Sequence, residues 1–196
     1  MFRVLLVCTG NICRSPIAHG LLADRSKRLL DGVIEVRSAG TWGRTGSPAT
    51  SEAVIAAGDL GIDITGHRSS GFTADLARWA DLVVTMTSEQ ADEVREVAPE
   101  AASKTFTLKE LVWILDALPL AGGEPTREAL LERVAQAQKI RSAGTVPPPA
   151  DEDVADPLGL ASSFYRAVAD ELAGLIDELV RGLAGQRDAA ALAKEG

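Results

Sequence analysis

Cys8-Thr9-Gly10-Asn11-Ile12-Cys13-Arg14-Ser15-Pro16 places a sulfur nucleophile, a permissive turn and a guanidinium within one short stretch, with five residues between Cys8 and Arg14. These are the parts of a phosphate trap. Between a strand ending at Cys8 and a helix beginning near Pro16 the chain must turn sharply, and in such a turn successive backbone N–H groups converge on one anion. Gly10 supplies a permissive backbone, and Asn11 tolerates positive φ better than most residues. Ser15-Pro16 reads as a helix start, with Ser15 near the N-cap and Pro16 at the first helical position. A dianionic phosphoryl group at this loop would meet free N–H groups, the positive end of a helix dipole and Arg14. The same field favours a thiolate at Cys8.

The loop needs a strand to deliver its sulfur, and the apolar run 2–7 directly before Cys8 meets that need. A strand ending there carries the sulfur to the carboxyl edge of a sheet, where open α/β folds place their ligands. Residues 2–8, 33–38, 81–87 and 104–108 read as strands, and the segments between them mostly as helices. The expected fold is α/β, a single three-layer domain with a four-stranded parallel sheet, helices on both faces and a phosphate-binding loop after the first strand. Leu160, Phe164, Val168, Leu172, Leu175, Ile176, Leu179 and Leu183 follow a helical stripe that would close this fold. The domain is expected over 1–184, with a frayed tail over 185–196.

A chain of 196 residues with 46% hydrophobic content suits one packed domain. Two cysteines speak against a secreted disulfide scaffold and for a reducing compartment. The apolar stretch 4–7 is too short for a signal peptide or a membrane span, so a cytoplasmic protein with no membrane partner is expected. The net charge is −8 and no Lys/Arg cluster tracks a nucleic-acid backbone, so nucleic acid is not an expected partner. An anionic substrate must then be drawn in by the local field of the loop against the global charge.

The run Cys8 to Pro16 resembles the signature of the low-molecular-weight protein tyrosine phosphatases. Ser38-Ala39-Gly40-Thr41 resembles that family's next segment, and Asp156-Pro157 is similar to its late general-acid motif. The resemblance extends over residues 1–118 and 153–183. It implies a phosphomonoester hydrolase that needs neither metal nor cofactor. Cys8 would attack phosphorus, Arg14 and the loop residues Thr9, Gly10, Asn11, Ile12, Cys13 and Ser15 would hold the oxygens, and Asp156 would protonate the leaving oxygen. Asn11, Ser15, Ser38 and His67 are implied as supports of the loop and of the sulfur. Trp42 stands where the family carries one aromatic wall of its substrate cleft, and Leu158 where the partner wall begins, so an aromatic ester loses stacking on that side. Within the family a Thr at the position of Ile12 accompanies phosphoarginine hydrolysis and a bulky aliphatic favours phosphotyrosine. The implied substrate is a phosphotyrosine protein or a small phosphomonoester.

Plainer readings stand beside these. Cys8 as a small buried hydrophobe, Trp42 as core packing, Asp156 as a turn residue before Pro157 and His67 as a structural histidine each need no catalysis. Cys8 and Cys13 also pair as a zinc half-site or a disulfide; zinc lacks further soft ligands beyond His19 and His67. In the family a second loop cysteine bonds reversibly to the nucleophile and shields it from over-oxidation. Packing is the other reading of Cys13.

The stretch 119–153 is longer than the family's corresponding segment and reads as an insertion. Residues 128–139 form a helical pattern through Leu130, Leu131 and Val134, broken by 144–149. Asp151-Glu152-Asp153 reads as a solvated loop, and the whole insertion as a lid or a docking surface. Two rival functions share the loop: an arsenate reductase using a small-thiol cofactor, and a catalytically silent phosphate-binding module.

Overall fold

The first strand, β1 (Phe2–Cys8), sends alternate side chains into two different cores, as a strand buried on both faces must. Phe2, Val4, Leu6 and Cys8 point to one side, and Leu5 and Val7 to the other. In this computed structural model, which describes residues 1–30, 32–43, 45–121, 123–147 and 149–186, β1 lies between β2 (Ile34–Gly40) and β3 (Leu82–Thr85). β4 (Thr105–Thr107) pairs with β3 to complete a sheet of order β2-β1-β3-β4. Every pairing is parallel, with Cys8 opposite Gly40 and Val7 opposite both Ala39 and Thr85. The expected four-stranded parallel sheet is thus present.

The larger core packs α1 (Arg14–Leu29), α5 (Leu108–Ala117), α6 (Arg127–Ala143) and α7 (Ser162–Ala184) on the Phe2 face, with α2 (Ser51–Asp59) beside α7. The smaller one joins Leu5, Val7 and Val83 to Leu76 and Trp79 of α3 (Ala74–Trp79) and to Val94 of α4 (Ser88–Val97). Helices therefore cover both faces. Among the described residues no helix is long and apolar enough to cross a membrane.

Several boundaries differ from the sequence reading. β2 runs on to Gly40, because its pairing with β1 continues past Ser38 through Val7 with Ala39 and Cys8 with Gly40. β3 and β4 are shorter than 81–87 and 104–108. α7 begins at Ser162, so Leu160 lies before it, and Leu160 and Phe164 are 50% and 42% exposed; they do not belong to the core stripe that Val168 to Leu183 forms. α6 extends a turn beyond the expected 128–139 and ends on Gly144, whose φ of 60° is the left-handed C-cap conformation. Of the expected tail, Gly185 caps α7 with φ 68°, and residues 187–196 lie outside the described residues.

The acidic run is not a free solvated loop. Lys109 Nζ reaches Asp151 Oδ2 at 2.9 Å, Glu171 Oε1 at 2.8 Å and Asp153 O at 2.7 Å. Asp153 Oδ1 accepts from Ser88 N at the start of α4, and Val154 N donates to Met86 O. The segment leading to Asp156 is thereby tied to α5, α7 and the carboxyl end of β3.

Candidate active site

The sulfur of Cys8 ends β1 at the carboxyl edge of the sheet, buried beneath the turn that follows. Asn11 N donates to Sγ at 3.3 Å, and Ser15 Oγ lies 3.0 Å from it. Asn11 has φ 52°, the left-handed conformation its short polar side chain tolerates, and this residue folds the loop back over the sulfur. Its side chain is wholly buried and every polar atom on it is used. Nδ2 donates to Ser15 Oγ at 2.8 Å and Ser38 Oγ at 3.0 Å, and Oδ1 accepts from Ser70 N at 2.8 Å. Since Ser15 Oγ accepts from Asn11, its own hydrogen is available to the sulfur.

The Asn11 carbonyl lies 2.8 Å from His67 Nε2. A carbonyl only accepts, so Nε2 carries the hydrogen. Burial pushes the His67 imidazole below its ordinary pKa, with the Asn11 hydrogen bond acting the other way. His19 Nδ1 sits 3.4 Å from Ser38 Oγ, and burial lowers its pKa as well, helped by His67. The sequence reading considered His19 only as a metal ligand and missed this contact with the loop's support.

Gly40 is required at its place by the close approach of the loop. A Cβ there would lie 2.5 Å from Thr9 O and 2.9 Å from Asn11 N, which backbone atoms cannot yield to. Thr41 N donates to Cys8 O and Trp42 N to Thr9 O, so the segment 38–42 is stitched along the loop.

Ser15 and Pro16 do not start the helix. α1 begins at Arg14, with Cys13 as N-cap and no side-chain cap, and Pro16 is the third helical residue. Its missing N–H still costs nothing, because the first four N–H groups of a helix have no intrahelical acceptor. Ser15 Oγ is spent on the sulfur and Asn11 instead of on a cap.

Arg14 is 3% exposed and crosses beneath the loop to the segment of Asp156. Nη1 donates to Val154 O at 3.0 Å, and Nη2 reaches Thr9 Oγ1 at 3.4 Å and Asp156 Oδ2 at 2.6 Å. Nε is buried without a partner among the described residues. A buried orphan donor on a cation is costly unless an acceptor meets it, and a bound anion is one acceptor that would. Asp156, 44% exposed, accepts from Leu158 N at Oδ1, 3.2 Å away. Arg14 thus joins Asp156 to Thr9, the residue that follows Cys8.

The remaining candidates are placed around it. Thr9 is exposed and Gly10 and Ile12 are half-buried in the loop. Cys13 is buried, its sulfur 3.6 Å from Thr50 Oγ1 and 3.8 Å from Tyr165 Oη, and burial raises its pKa. Both cysteines are free thiols. Trp42 is 75% exposed, which rules out core packing, and its Nε1 donates to Glu93 Oε1 at 2.8 Å. Leu158 is exposed on the loop of Asp156. Gln90, whose Nε2 donates to Thr9 Oγ1, was missed, although Thr87-x-x-Gln90 is a legible capping box. Among the described residues no three His, Cys, Asp or Glu side chains gather as a metal site. What the arrangement can do chemically is hold a phosphoryl group by Arg14 and loop amides between a sulfur and a carboxyl.

Residues 3–137 match the family model described as low molecular weight phosphotyrosine protein phosphatase. A protein-arginine-phosphatase of Geobacillus stearothermophilus is 38% identical over 182 residues, covering 93% of this chain and 96% of the relative. The low molecular weight protein-tyrosine-phosphatase Etp of Escherichia coli K12 is 44% identical over 103 residues, 53% of this chain and 66% of Etp. Among solved structures, a Cys-to-Ser mutant of YwlE arginine phosphatase with a phosphorylated active-site serine superposes with a TM-score of 0.69 at 30% identity, over 93% of this chain and 95% of that one.

Proposed function

Because the chain belongs to the low molecular weight phosphotyrosine protein phosphatase family, whose members here are phosphoprotein phosphatases, we propose that it hydrolyses phosphotyrosine through a phosphocysteine at Cys8. The observation that carries the assignment of roles is Arg14. It is a buried cation with a free Nε, joined to Asp156 at 2.6 Å and lying under the loop that wraps the sulfur. No structural task explains a buried guanidinium with an unused donor as simply as an anion that completes it.

In the first step Cys8 Sγ forms a bond to phosphorus as the bond to the leaving oxygen breaks, and that oxygen takes a proton from Asp156. Arg14 and the loop amides hold the equatorial oxygens while charge shifts among them. In the second step water attacks phosphocysteine, gives its proton to the Asp156 carboxylate, and releases phosphate and the sulfur. The serine that carries a phosphoryl group in the YwlE mutant supports a covalent role for the residue it replaces, and so for Cys8.

Ile12 and the exposed indole of Trp42 favour an aromatic ester. The second reading is phosphoarginine, favoured by the arginine phosphatase that matches this chain over 93% of its length, whereas Etp matches 53%. Cytoplasmic work suits a thiol nucleophile and two free cysteines.

The test is hydrolysis of matched phosphotyrosine and phosphoarginine peptides with a metal chelator present. Faster release from phosphotyrosine supports the first reading, and the reverse preference transfers the proposal to phosphoarginine. Release from neither peptide, with arsenate reduced in the presence of a small thiol, would overturn both.

A further inference from the structure

Gln90 is a buried polar side chain, 3% exposed, in the first turn of α4. Its Oε1 accepts from Met86 N at 3.0 Å and Thr87 N at 3.1 Å, while Thr87 Oγ1 accepts from Gln90 N at 3.3 Å. This is a reciprocal capping box, and it needs only the oxygen of the side chain; a glutamate would serve it equally well. The amide nitrogen is surplus to the helix. Two backbone donors on Oε1 fix which end of the amide is oxygen, so Nε2 necessarily points the other way. There it donates to Thr9 Oγ1 at 3.1 Å, across to the loop above Cys8.

Thr9 Oγ1 also accepts from Arg14 Nη2 at 3.4 Å. A hydroxyl oxygen has two lone pairs and one hydrogen. With both lone pairs taken by donors, the hydroxyl is left as a donor only, and its hydrogen has no acceptor among the described residues. Thr9 is exposed at the mouth of the loop, and its oxygen adjoins the guanidinium that faces the anion position. Met86 ties the second half of the site to the same support: its N–H ends on Gln90 and its carbonyl accepts from Val154 N, while Val154 O accepts from Arg14.

We propose that Gln90 is a positioning residue of the active site, which fixes the Thr9 hydroxyl as a dedicated donor to the bound phosphoryl group. The proposal rests on the phosphatase reading of the loop. Without the Gln90 amide, Thr9 is free to turn its hydrogen away from the anion, and the loop loses one oriented donor.

The experiment is a double-mutant cycle on Gln90→Met, Thr9→Val and the pair, with Thr9→Ser as the conservative rescue. The readouts are the inhibition constant of inorganic phosphate, KM and kcat for p-nitrophenyl phosphate, and the thermal midpoint. Gln90→Met and Thr9→Val should each weaken phosphate about tenfold, the lower end for a hydrogen bond to a charged group. The pair should be no weaker than Thr9→Val alone, and Thr9→Ser should stay near wild type. Gln90→Glu keeps the cap oxygen and stands in if Gln90→Met does not fold; its loss of phosphate affinity should shrink in the Thr9→Val background. A structural role alone would lower the thermal midpoint and leave phosphate affinity unchanged. Losses that multiply in the pair, or unchanged phosphate affinity in Gln90→Met, would overturn the proposal while wild-type turnover leaves the phosphatase reading standing. A wild type that neither binds phosphate nor turns over would overturn that reading itself, and this proposal with it.

Discussion

Arg14 Nη2 and Asp156 Oδ2 are 2.6 Å apart, so the group proposed to hold a phosphate and the group proposed to protonate its leaving oxygen are bound to each other. The pair spans the fold from the start of α1 to the segment before α7. On the proposed mechanism a bound phosphoryl group competes with Asp156 for Arg14.

Two effects of opposite sign are therefore expected on removing the charge of Asp156. Asp156→Asn should slow hydrolysis by about a hundredfold or more for a poor leaving group, as loss of a general acid does, and less for a good one. The same variant should bind inorganic phosphate about fivefold more tightly, since Asp156, 44% exposed and screened by solvent, is worth up to about 1 kcal/mol to the pair and no longer competes for Arg14. Steady-state kinetics across leaving groups of graded acidity, with phosphate as inhibitor, measure both. Equal losses for all leaving groups would place the acid elsewhere, with Asp151 and Asp153 the next candidates.

Cys13 gives a redox prediction. Burial raises its pKa, so it remains a thiol at neutral pH, while Cys8 is the proposed nucleophile at the base of the loop. Peroxide should convert Cys8 to sulfenic acid, and the Cys13 thiol should displace water from it to give a disulfide. Reductant should restore the wild type, whereas Cys13→Ser should pass to a state that reductant does not rescue. Mass spectrometry should find a Cys8–Cys13 link two hydrogens lighter than the free thiols. Equal recovery of both proteins with no such link would leave Cys13 as packing against Thr50 and Tyr165.

The two histidines give a pH prediction. Burial holds His19 and His67 below their ordinary pKa, so the unfolded chain takes up protons that the folded one refuses. Their contribution to stability is complete above the unfolded value of about 6.5 and is lost as pH falls from there toward the lowered folded values. Glu152, raised by burial, acts in the opposite sense nearer the carboxylate range. Urea midpoints of the wild type should fall between about pH 7 and 5.5, and a His19→Gln, His67→Gln double variant should show a shallower fall. Gln keeps an N–H for the Asn11 carbonyl, so the comparison isolates titration. Equal slopes would contradict the account.

What was legible in the sequence was what lies close along it. β1, the loop and α1 are consecutive, and the tight turn between strand and helix brings Asn11 to Cys8 and Arg14 to Thr9. The late carboxyl was reached only through the resemblance of Asp156-Pro157, since nothing local distinguishes a catalytic Asp from a turn. The links that brace the site were not legible. Gln90 meets Thr9 across 81 positions, and Lys109 meets Asp151 across 42. The helix start at Ser15 was misread for a related reason. Ser15 has the type of an N-cap, but its hydroxyl is taken by Cys8 and Asn11, and the helix begins two residues earlier, at Arg14 with Cys13 as N-cap. Leu160 and Phe164 continue the apolar period of α7 by sequence, yet they fall where the chain leaves the core for the loop of Asp156.

The central claim is that Cys8 takes the phosphoryl group, and acid-quenched mass spectrometry during turnover tests it most directly. Asp156→Ala, in which hydrolysis of the intermediate lacks its base, should be caught with one phosphoryl group on the peptide containing Cys8, and Cys8→Ser should show no turnover of p-nitrophenyl phosphate while still binding phosphate. Substantial turnover by Cys8→Ser, or a phosphoryl group found on another residue of the quenched enzyme, would contradict the account.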